Sequence, residues 1–369
     1  MIRILQVVGG LGRGGTESVI MNYYRQIDKD RLQFDFISHH PELNDYEEEI
    51  KNLGGRIIYM PEYTGTNHVS YCRAWKAFFS EHQEYKIIHA HAWSTAVIYL
   101  QIARRFGLYT ISHSHSVSAR TGLPALGRVL LKKPLPLIPD YFMACSRAAA
   151  IWLYGKSILE KKNFSILPNA INVEQFRYSP EIRKCVRTEN GVQNYFVIGH
   201  VGVFDHNKNH EYMLELFRIV HSHNSRTVLW LIGEGAESER VKEKVKKIGL
   251  SDHVKFWGAR DDVADLMQAM DLFLFPSHFE SFGNAALEAQ AAGLPVLCSD
   301  TIPDEVKVSN LITFLPLTQQ EVWGRKIMEY LYTERNDISD QMKGTKYDIE
   351  VAAAWLQDFY LSVYKKVTS

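Results

Sequence analysis

The sequence has few cysteines and no excess of charge of either sign. Its four cysteines, Cys72, Cys145, Cys185 and Cys298, stand far apart, and no two of them form a C-x-x-C pair. This spacing argues against a zinc ribbon and against a disulfide framework. Lys and Arg together number 42, as do Asp and Glu, so the balanced charge argues against a nucleic-acid-binding protein.

Long apolar runs are also missing from the sequence. No run of about eighteen apolar residues occurs, so we expect no transmembrane helix. The N-terminal residues 1–4 lead directly into an apolar strand, and we therefore expect no signal peptide. Together with the scattered thiols, these absences favour a cytoplasmic protein. The 369 residues and the hydrophobic content of 46% are sufficient for two α/β domains of about 170 residues each.

The most informative stretch combines a predicted strand, a loop and a predicted helix. Residues 272–275 are all apolar and predict a buried parallel strand that ends at Pro276. Residues 284–292 have helical composition, and the glycine that follows suits a helix C-cap. Glu280 is therefore expected in the strand-to-helix loop, and Glu288 one to two turns into the helix.

This loop-and-helix arrangement suits the binding of a sugar phosphate. The amide groups of Ser281, Phe282, Gly283 and Asn284 are expected at the positive end of the helix, where a phosphate is favoured. The two glutamates offer acceptors for sugar hydroxyls. An ordinary pair of surface carboxylates at a helix start is the alternative, and spacing alone does not decide between the two.

The two glutamates form an E-x7-E pair within the longer pattern P-S-x-x-E-x-F-G-x-x-x-L-E-A-x-A-x-G-x-P-V, at residues 276–296. This stretch resembles the signature of retaining glycosyltransferases of family 4, which includes capsule and exopolysaccharide synthases. The resemblance implies an α/β protein of the GT-B fold, with two Rossmann-like, doubly wound domains facing each other across a cleft. It implies an acceptor-side domain at 1–172, a nucleotide-sugar-binding domain at 173–349, and a C-terminal helix, 350–369, that returns to the first domain.

A glycine-rich segment, residues 9–15, follows the first predicted strand, residues 2–8. It contains five glycines and a G-x-G-x-x-G match, which alone would suggest a dinucleotide-binding dehydrogenase. The acid that such a site needs after the second strand is missing, because residues 33–38 run into two histidines. The resemblance implies instead that this loop faces the interdomain cleft, where its backbone approaches the donor phosphate or the acceptor. Gly14 and Gly15 are the residues assigned to the donor.

Two pairs of histidines close the fourth and fifth predicted strands. His89 and His91, and likewise His113 and His115, are two residues apart, so each pair is expected on one face of its strand. A metal site is one interpretation, although no carboxylate or thiolate ligand is near in sequence. A hydrogen-bonded structural role is a further alternative for His89. The resemblance implies a histidine beside the transferred sugar; His113 matches it best, His115 is the neighbouring alternative, and no metal is assigned.

Residues 117–138 interrupt the alternation of strands and helices. The segment is rich in leucine, carries four basic residues and contains no acid. Such a composition is typical of contact with an anionic membrane surface or a lipid-linked acceptor. It suits equally well a helix that packs on its own domain with its charges in solvent.

The chain then reaches the predicted domain boundary. Residues 168–172, Pro-Asn-Ala-Ile-Asn, resemble the P-N-G-I/V-D stretch that connects the domains in this family. The polar residues that follow, up to about 194, are predicted to be irregular. Lys208, after the first strand of the second domain, matches the lysine that binds the donor diphosphate in the family. Val203 stands where the family carries an arginine with the same role.

Further donor contacts are implied in the second domain. Gly233 ends the second strand of this domain at a height suited to the nucleotide. Arg260 and Val263 belong to a segment, residues 258–263, that resembles the family segment contacting the base.

The implied activity is that of a retaining, metal-independent hexosyltransferase with a nucleotide-diphosphate sugar, most plausibly UDP-linked, as donor and no other cofactor. The resemblance implies catalytic roles for His113, Lys208 and Glu280. It implies donor binding by Gly14, Gly15, Lys208, Gly233, Arg260, Val263, Glu280, Ser281, Phe282, Gly283, Asn284 and Glu288.

The expected acceptor is a saccharide or an undecaprenyl-linked sugar in surface polysaccharide biosynthesis. The expected location is the cytoplasm, with peripheral contact to the inner membrane face through residues 117–138. Two alternatives remain: a sugar-nucleotide epimerase of the same fold, and a weakly active nucleotide-sugar-binding protein, which only Val203 favours.

Overall fold

The computed structural model describes residues 1–369 except 13, 43, 92, 116–132, 332, 334 and 336, and for 93 and 94 it describes the backbone only. Most of the predicted membrane-contacting segment, 117–138, therefore lies outside the described residues. The chain divides into two compact units, Met1–Ala170 with Lys346–Ser369, and Ile171–Thr345. The sequence analysis places these divisions after residues 172 and 349.

The first unit is built on a parallel sheet of seven strands. The strands are β1 (Ile2–Val7), β2 (Leu32–Ser38), β3 (Ile57–Tyr59), β4 (Ile87–Ala90), β5 (Tyr109–Ser114), β6 (Tyr141–Ala144) and β7 (Phe164–Ile166). The helices are α1 (Gly15–Gln26), α2 (Glu47–Asn52), α3 (His68–Glu81), α4 (Trp93–Arg105) and α5 (Arg147–Tyr154). The strand order is β3-β2-β1-β4-β5-β6-β7. Every residue of β2 is buried, as expected for a parallel sheet covered on both faces.

The second unit is built on a parallel sheet of six strands. The strands are β8 (Phe196–Val201), β9 (Thr227–Ile232), β10 (Val254–Gly258), β11 (Leu272–Phe275), β12 (Val296–Ser299) and β13 (Ile312–Leu315). The helices are α6 (Val173–Phe176), α7 (Pro180–Glu189), α8 (His210–His223), α9 (Ser238–Lys247), α10 (Val263–Ala269), α11 (Asn284–Ala291), α12 (Gln320–Tyr330) and α13 (Ser339–Met342). The strand order is β10-β9-β8-β11-β12-β13.

In both sheets the strand order reverses beside the first strand of the unit. β1 lies between β2 and β4, and β8 lies between β9 and β11. This is the Rossmann arrangement, in which ligands bind outside the carboxyl ends of the strands at the reversal. The loops after β1, β8 and β11 therefore begin where a ligand is expected, and they carry the glycine-rich segment, Lys208 and Glu280, respectively.

The prediction of an irregular stretch after the domain boundary is wrong, because Pro180–Glu189 forms a helix, α7. The side chain of Ser179 caps it by accepting a hydrogen bond from the backbone N–H of Ile182 at 3.2 Å. The sequence pattern is misleading because the one buried residue of this helix is charged. Arg187 is 8% exposed and its guanidinium donates to the carboxylate of Asp271 at 3.0 Å.

The C-terminal helix, α14 (Ile349–Thr368), packs against α1 in the first unit. The Asp348 side chain caps it by accepting a hydrogen bond from the backbone N–H of Glu350. Its buried residues are Ile349, Ala352, Ala353, Leu356, Tyr360 and Val363. The predicted return of the C-terminal helix to the first domain is therefore confirmed, and it places the Tyr360 hydroxyl inside that domain.

Candidate active site

Hydrogen bonds join the loop after β8 to the loop after β11. The carbonyl oxygen of Asn207 accepts a hydrogen bond from the backbone N–H of His278 at 2.8 Å. The side-chain amide of Asn207 donates to the carbonyl oxygen of Phe279 at 2.5 Å. The side-chain amide of Asn209 donates to the carbonyl oxygen of Pro276 at 3.2 Å. These bonds fix the two loops against each other at the carboxyl edge of the sheet.

The two loops bring Lys208 and Glu280 together. The ammonium of Lys208 donates to a carboxylate oxygen of Glu280 at 2.5 Å, and the two side chains are 17% and 14% exposed. The carboxylate of Asp205 accepts from the backbone N–H of Lys208 at 3.0 Å and fixes the turn. The lysine nitrogen lies 5.1 Å from the ring centroid of Phe275. A phosphate can replace the carboxylate at this ammonium, because both anions bind the same donors.

The helix α11 begins directly after this pair. Gly283 precedes it with φ 104°, a backbone conformation that strains any other residue. A Cβ atom at this position would also lie 3.3 Å from the ring of Phe275. Phe282 is buried and anchors the turn. The predicted phosphate-contacting amides of residues 281–284 thus lie at the helix start, where the partial charge is positive.

Glu288 lies on α11 and is half-buried. Burial raises the pKa of its carboxyl group to about 7, because desolvation disfavours the charged form. Within the part of the chain that the structure describes, its carboxylate has no hydrogen-bond partner. A partly buried acceptor without a partner is suited to ligand hydroxyl groups, which would offset its desolvation.

The ends of β8 and β9 approach each other so closely that only glycine fits. Gly233 has φ 128°, and a Cβ atom there would collide with the carbonyl oxygen of Gly202. A Cβ atom at Gly235 would collide with the carbonyl oxygen of Phe204. Both glycines therefore support the loop after β8, and the donor contact of Gly233 stays a prediction.

Arg260 and Val263 lie at the end of β10 and the start of α10. Arg260 is exposed and donates two hydrogen bonds to the carboxylate of Asp262, at 2.7 and 2.6 Å. Among the described residues, no hydrogen bond or ion pair connects Arg260 to Lys208 or Glu280. The structure therefore does not join the predicted base-contacting segment to this pair.

In the glycine-rich segment after β1, open space surrounds Gly15 but not Gly14. Gly14 is the N-cap of α1 and Gly15 is its first residue. A Cβ atom at Gly15 would meet no atom within 4 Å, whereas one at Gly14 would collide with the carboxylate of Glu17. Burial raises the pKa of Glu17 above its ordinary value. Sequence reasoning did not single out Glu17, although an acid in the first turn after a glycine loop is a usable signal.

Six polar side chains lie together in the first unit, at the ends of β4 and β5, and we call them the histidine cluster: Gln6, His89, His91, His113, His115 and Tyr360. The Tyr360 hydroxyl lies 2.6 Å from His89 Nδ1 and accepts from the Gln6 amide at 3.2 Å. His91 Nε2 lies 2.8 Å from the Gln6 amide oxygen. His91 Nδ1 lies 2.8 Å from His115 Nε2. Sequence reasoning found the four histidines but neither Gln6 nor Tyr360.

His113, the predicted catalytic histidine, is 3% exposed. Both of its ring nitrogens are buried without a hydrogen-bond partner among the described residues. His115 is less buried. Burial lowers the pKa of His113 well below its ordinary value and that of His115 to about 3. Both rings are therefore neutral at physiological pH, and the difference in exposure favours His115 for contact with a ligand.

Two family models match the chain. The model described as "Glycosyltransferase Family 4" matches residues 13–175, and the model described as "Glycosyl transferases group 1" matches residues 186–310. The chain is 33% identical over 333 residues to the "Putative glycosyltransferase EpsF" of Bacillus subtilis (strain 168), covering 88% of this chain and 86% of that protein. It is 25% identical over 242 residues to the UDP-Gal:alpha-D-GlcNAc-diphosphoundecaprenol alpha-1,3-galactosyltransferase of Escherichia coli, covering 62% and 61%.

Among solved structures, Anabaena Alr3699/HepE in complex with UDP-glucose aligns with a TM-score of 0.73 and 18% identity, covering 100% of this chain and 98% of that chain. An identity this low establishes the fold alone. The predicted GT-B fold class is therefore confirmed.

Proposed function

The chain belongs to glycosyltransferase family 4, and on that premise we propose that it transfers a hexose from a UDP-linked donor, with retention of the anomeric configuration, in surface polysaccharide biosynthesis. The observation that carries the proposal is the ion pair of Lys208 and Glu280 beside the start of α11. It offers a cation for a diphosphate and a carboxylate for sugar hydroxyls within 2.5 Å of each other. The pair lies at the strand-order reversal of the second sheet, where a nucleotide is expected.

In this proposal the departing diphosphate is neutralised by the protein without a metal ion. Lys208 transfers its hydrogen bond from Glu280 to a phosphate oxygen when the donor binds. The amides of residues 281–284 add the positive partial charge of the helix start. These groups are in place before the glycosidic bond breaks, so they stabilise the charge that develops on the leaving group.

The two glutamates have different partners in the donor. Glu280, released from Lys208, accepts hydrogen bonds from hydroxyls of the transferred sugar. Glu288 accepts from the ribose hydroxyls, which supply the partners that its carboxylate lacks. Retention is proposed from the resemblance of the E-x7-E stretch to the signature of retaining enzymes.

In the first domain, we propose that a neutral strand-end histidine, His115 or His113, contacts the transferred sugar. A neutral imidazole can donate a hydrogen bond to a sugar oxygen or to the leaving group without adding charge. We favour His115 for this contact, because His113 is almost fully buried. Backbone contact by Gly14, Gly15 and Gly233 is part of the same proposal.

The proposed acceptor is a saccharide or an undecaprenyl-linked sugar at the inner membrane face. The similar Escherichia coli galactosyltransferase is named for a sugar linked to diphosphoundecaprenol, and this similarity supports a lipid-linked acceptor. Leu137 belongs to the described part, residues 133–138, of the predicted membrane-contacting segment. Its side chain is 81% exposed and lines a surface hollow with Arg104 and Arg105. This combination suits peripheral contact with anionic lipid. None of the described helices is both long enough and apolar enough to span a bilayer.

A panel of nucleotide sugars in a thermal-shift assay tests the proposal, because a ligand that binds only the folded state raises the melting temperature. We expect UDP-hexoses to raise it in the wild type and to do so less in Lys208→Met. Incubation of the stabilising donor should then yield UDP in the presence of a saccharide acceptor. An epimerised donor would indicate an epimerase, and binding without any turnover would indicate a binding protein; either result contradicts the proposal.

A further inference from the structure

We infer that the histidine cluster of the first domain binds a divalent transition-metal ion of the zinc class, with His89, His91 and His113 as ligands. The ligand atoms of these three residues lie within 4.8 Å of one another. Tetrahedral zinc, with Zn–N distances near 2.0–2.1 Å, separates its ligand atoms by about 3.3 Å. Small rotations of the three rings would therefore bring them onto one ion. The inference does not rest on the proposed diphosphate site of the second unit.

The backbone brings the three histidines together. β4 and β5 are neighbouring parallel strands in which Ala90 pairs with Ser112. Residues two apart on a strand share a face, so the side chains at the ends of both strands meet on one side of the sheet. The ring centroids of His89 and His91 are 4.3 Å apart, and those of His89 and His113 are 5.3 Å apart.

The cluster contains ring nitrogens that no protein group in the described part of the chain satisfies. His89 Nε2 and both ring nitrogens of His113 are buried and have no hydrogen-bond partner among the described residues. Buried polar atoms in folded proteins almost always have a partner, because leaving one unpaired costs free energy. A metal ion would accept one lone pair from each ring, and so supply a partner for His89 Nε2 and for one ring nitrogen of His113.

The surrounding side chains are arranged as they are around metal-bound histidines. A ligating histidine usually donates its other ring N–H to an oxygen atom, which fixes the tautomer and the ring orientation. His89 Nδ1 lies 2.6 Å from the Tyr360 hydroxyl, and His91 Nε2 lies 2.8 Å from the Gln6 amide oxygen. His89 Nε2 and His91 Nδ1 are then the nitrogens that face the ion.

Metal binding requires one existing hydrogen bond to be given up. His91 Nδ1 lies 2.8 Å from His115 Nε2, and the ion would take the lone pair used there. No proton leaves the protein, because a neutral imidazole already carries a free lone pair. His115 is thereby released from His91, and water fills the fourth coordination position of the ion.

The ion would stabilise the first domain rather than act on the diphosphate. It would bind the ends of β4 and β5 together and, through Tyr360, hold α14 in place. The residues proposed to neutralise the diphosphate, in contrast, belong to the second unit. We therefore expect zinc to raise the melting temperature of the chelator-treated protein without being needed for the initial rate of transfer.

Titration of chelator-treated full-length protein with cobalt(II), followed by zinc, tests the inference. We expect one equivalent of cobalt(II) to produce the visible absorption of a tetrahedral nitrogen site, and zinc to abolish it. His113→Asn should lose the absorption. Tyr360→Phe keeps all three ligands and removes only the outer partner of His89, so it should weaken zinc binding about 10–100-fold.

A control variant separates the cluster from adventitious binding. His221 and His253 form another close pair, with ring centroids 4.1 Å apart, outside the cluster. The double variant His221→Asn, His253→Asn should bind cobalt(II) like the wild type. Absence of the tetrahedral absorption in the wild type, or equal zinc affinity in the wild type and Tyr360→Phe, would overturn the inference. So would loss of binding in the control, and none of these readouts depends on transfer activity.

Discussion

The ammonium of Lys208 and the carboxylate of Glu280 lie 2.5 Å apart although 72 residues separate them in the sequence. They meet because β8 and β11 are neighbours in the second sheet and the loops after both strands are hydrogen-bonded to each other. Low exposure shields the pair from solvent and salt. In the proposed function, the pair holds the ammonium of Lys208 in place until the more highly charged diphosphate displaces the carboxylate.

Replacement of Glu280 by Gln should distinguish the contribution of the sugar to donor affinity from the contribution of UDP. The change removes the carboxylate that competes with the diphosphate for Lys208, so UDP should bind as tightly as in the wild type or more tightly. The additional affinity of UDP-hexose over UDP should disappear, because the sugar loses its acceptor. Calorimetric titration with both ligands measures this, and loss of UDP binding in Glu280→Gln would contradict the assignment.

Replacement of Glu288 by Ala should weaken UDP and UDP-hexose equally, by about 1.5–3 kcal/mol for charge-assisted hydrogen bonds to the ribose. Calorimetry on the same two ligands measures the loss. Equal UDP affinity in the wild type and Glu288→Ala would rule out this role.

The raised pKa of Glu288 also predicts a dependence of UDP affinity on pH. At the pKa of about 7, half of these carboxyls are protonated in the free protein, and only the ionised form accepts two ribose hydrogen bonds. UDP affinity should therefore rise between about pH 6 and pH 8 and level off above the pKa. UDP itself also titrates, so the readout is the difference between the wild type and Glu288→Gln. The same pH dependence in both proteins would contradict the prediction.

Replacement of Val203 by Arg should improve transfer. Val203 is 57% exposed, so the domain can accommodate a longer side chain, and the guanidinium would offer a planar fork to phosphate oxygens. We expect kcat/KM to rise roughly five- to more than a hundredfold, which corresponds to about 1–3 kcal/mol of additional transition-state stabilisation. Donor binding should also become more sensitive to salt.

No change in either quantity for a folded Val203→Arg protein would contradict that prediction, and Arg13→Ala then identifies the reason. A large loss in Arg13→Ala, made in the wild type, would mean that Arg13 already supplies the cation. No loss would mean that residue 203 does not face the diphosphate. Arg13 lies outside the described residues.

Replacement of Gly233 by Ala should destabilise the second domain. The new methyl group would collide with the carbonyl oxygen of Gly202 at a backbone φ of 128°, and we expect a loss of at least about 2–3 kcal/mol in the free energy of unfolding. Gly249→Ala is the matched control, because Gly249 has φ 74° and open space around it. It should cost only about 1–2 kcal/mol. Similar losses in calorimetry for both variants would show that the close approach to Gly202 is unimportant.

The fold could be predicted from the sequence wherever strands are continuous apolar runs. Residues 272–275 predict β11, and the strand-to-helix loop with Glu280 follows from it. The helix α7 could not be predicted in this way, because its buried residue, Arg187, is a charged side chain that binds Asp271. Apolar periodicity carries no signal for a helix held by such a pair.

Contacts between residues far apart in the sequence could not be predicted either. The histidines of β4 and β5 could be placed on one face from their spacing. The Tyr360 hydroxyl that holds His89 is 271 residues away along the chain, and no local pattern reports such a pairing. Likewise, the resemblance identified Lys208 and Glu280 separately, and only the structure pairs them.

Turnover of a UDP-hexose by the wild type, Lys208→Met and Glu280→Gln tests the central claim most directly. We predict acceptor-stimulated UDP release by the wild type that excess EDTA leaves intact, since Lys208 and helix amides replace a metal at the diphosphate. We predict that release falls at least about tenfold in both variants at saturating donor. Equal turnover in all three proteins, or activity that EDTA abolishes and Mn²⁺ restores, would contradict the account.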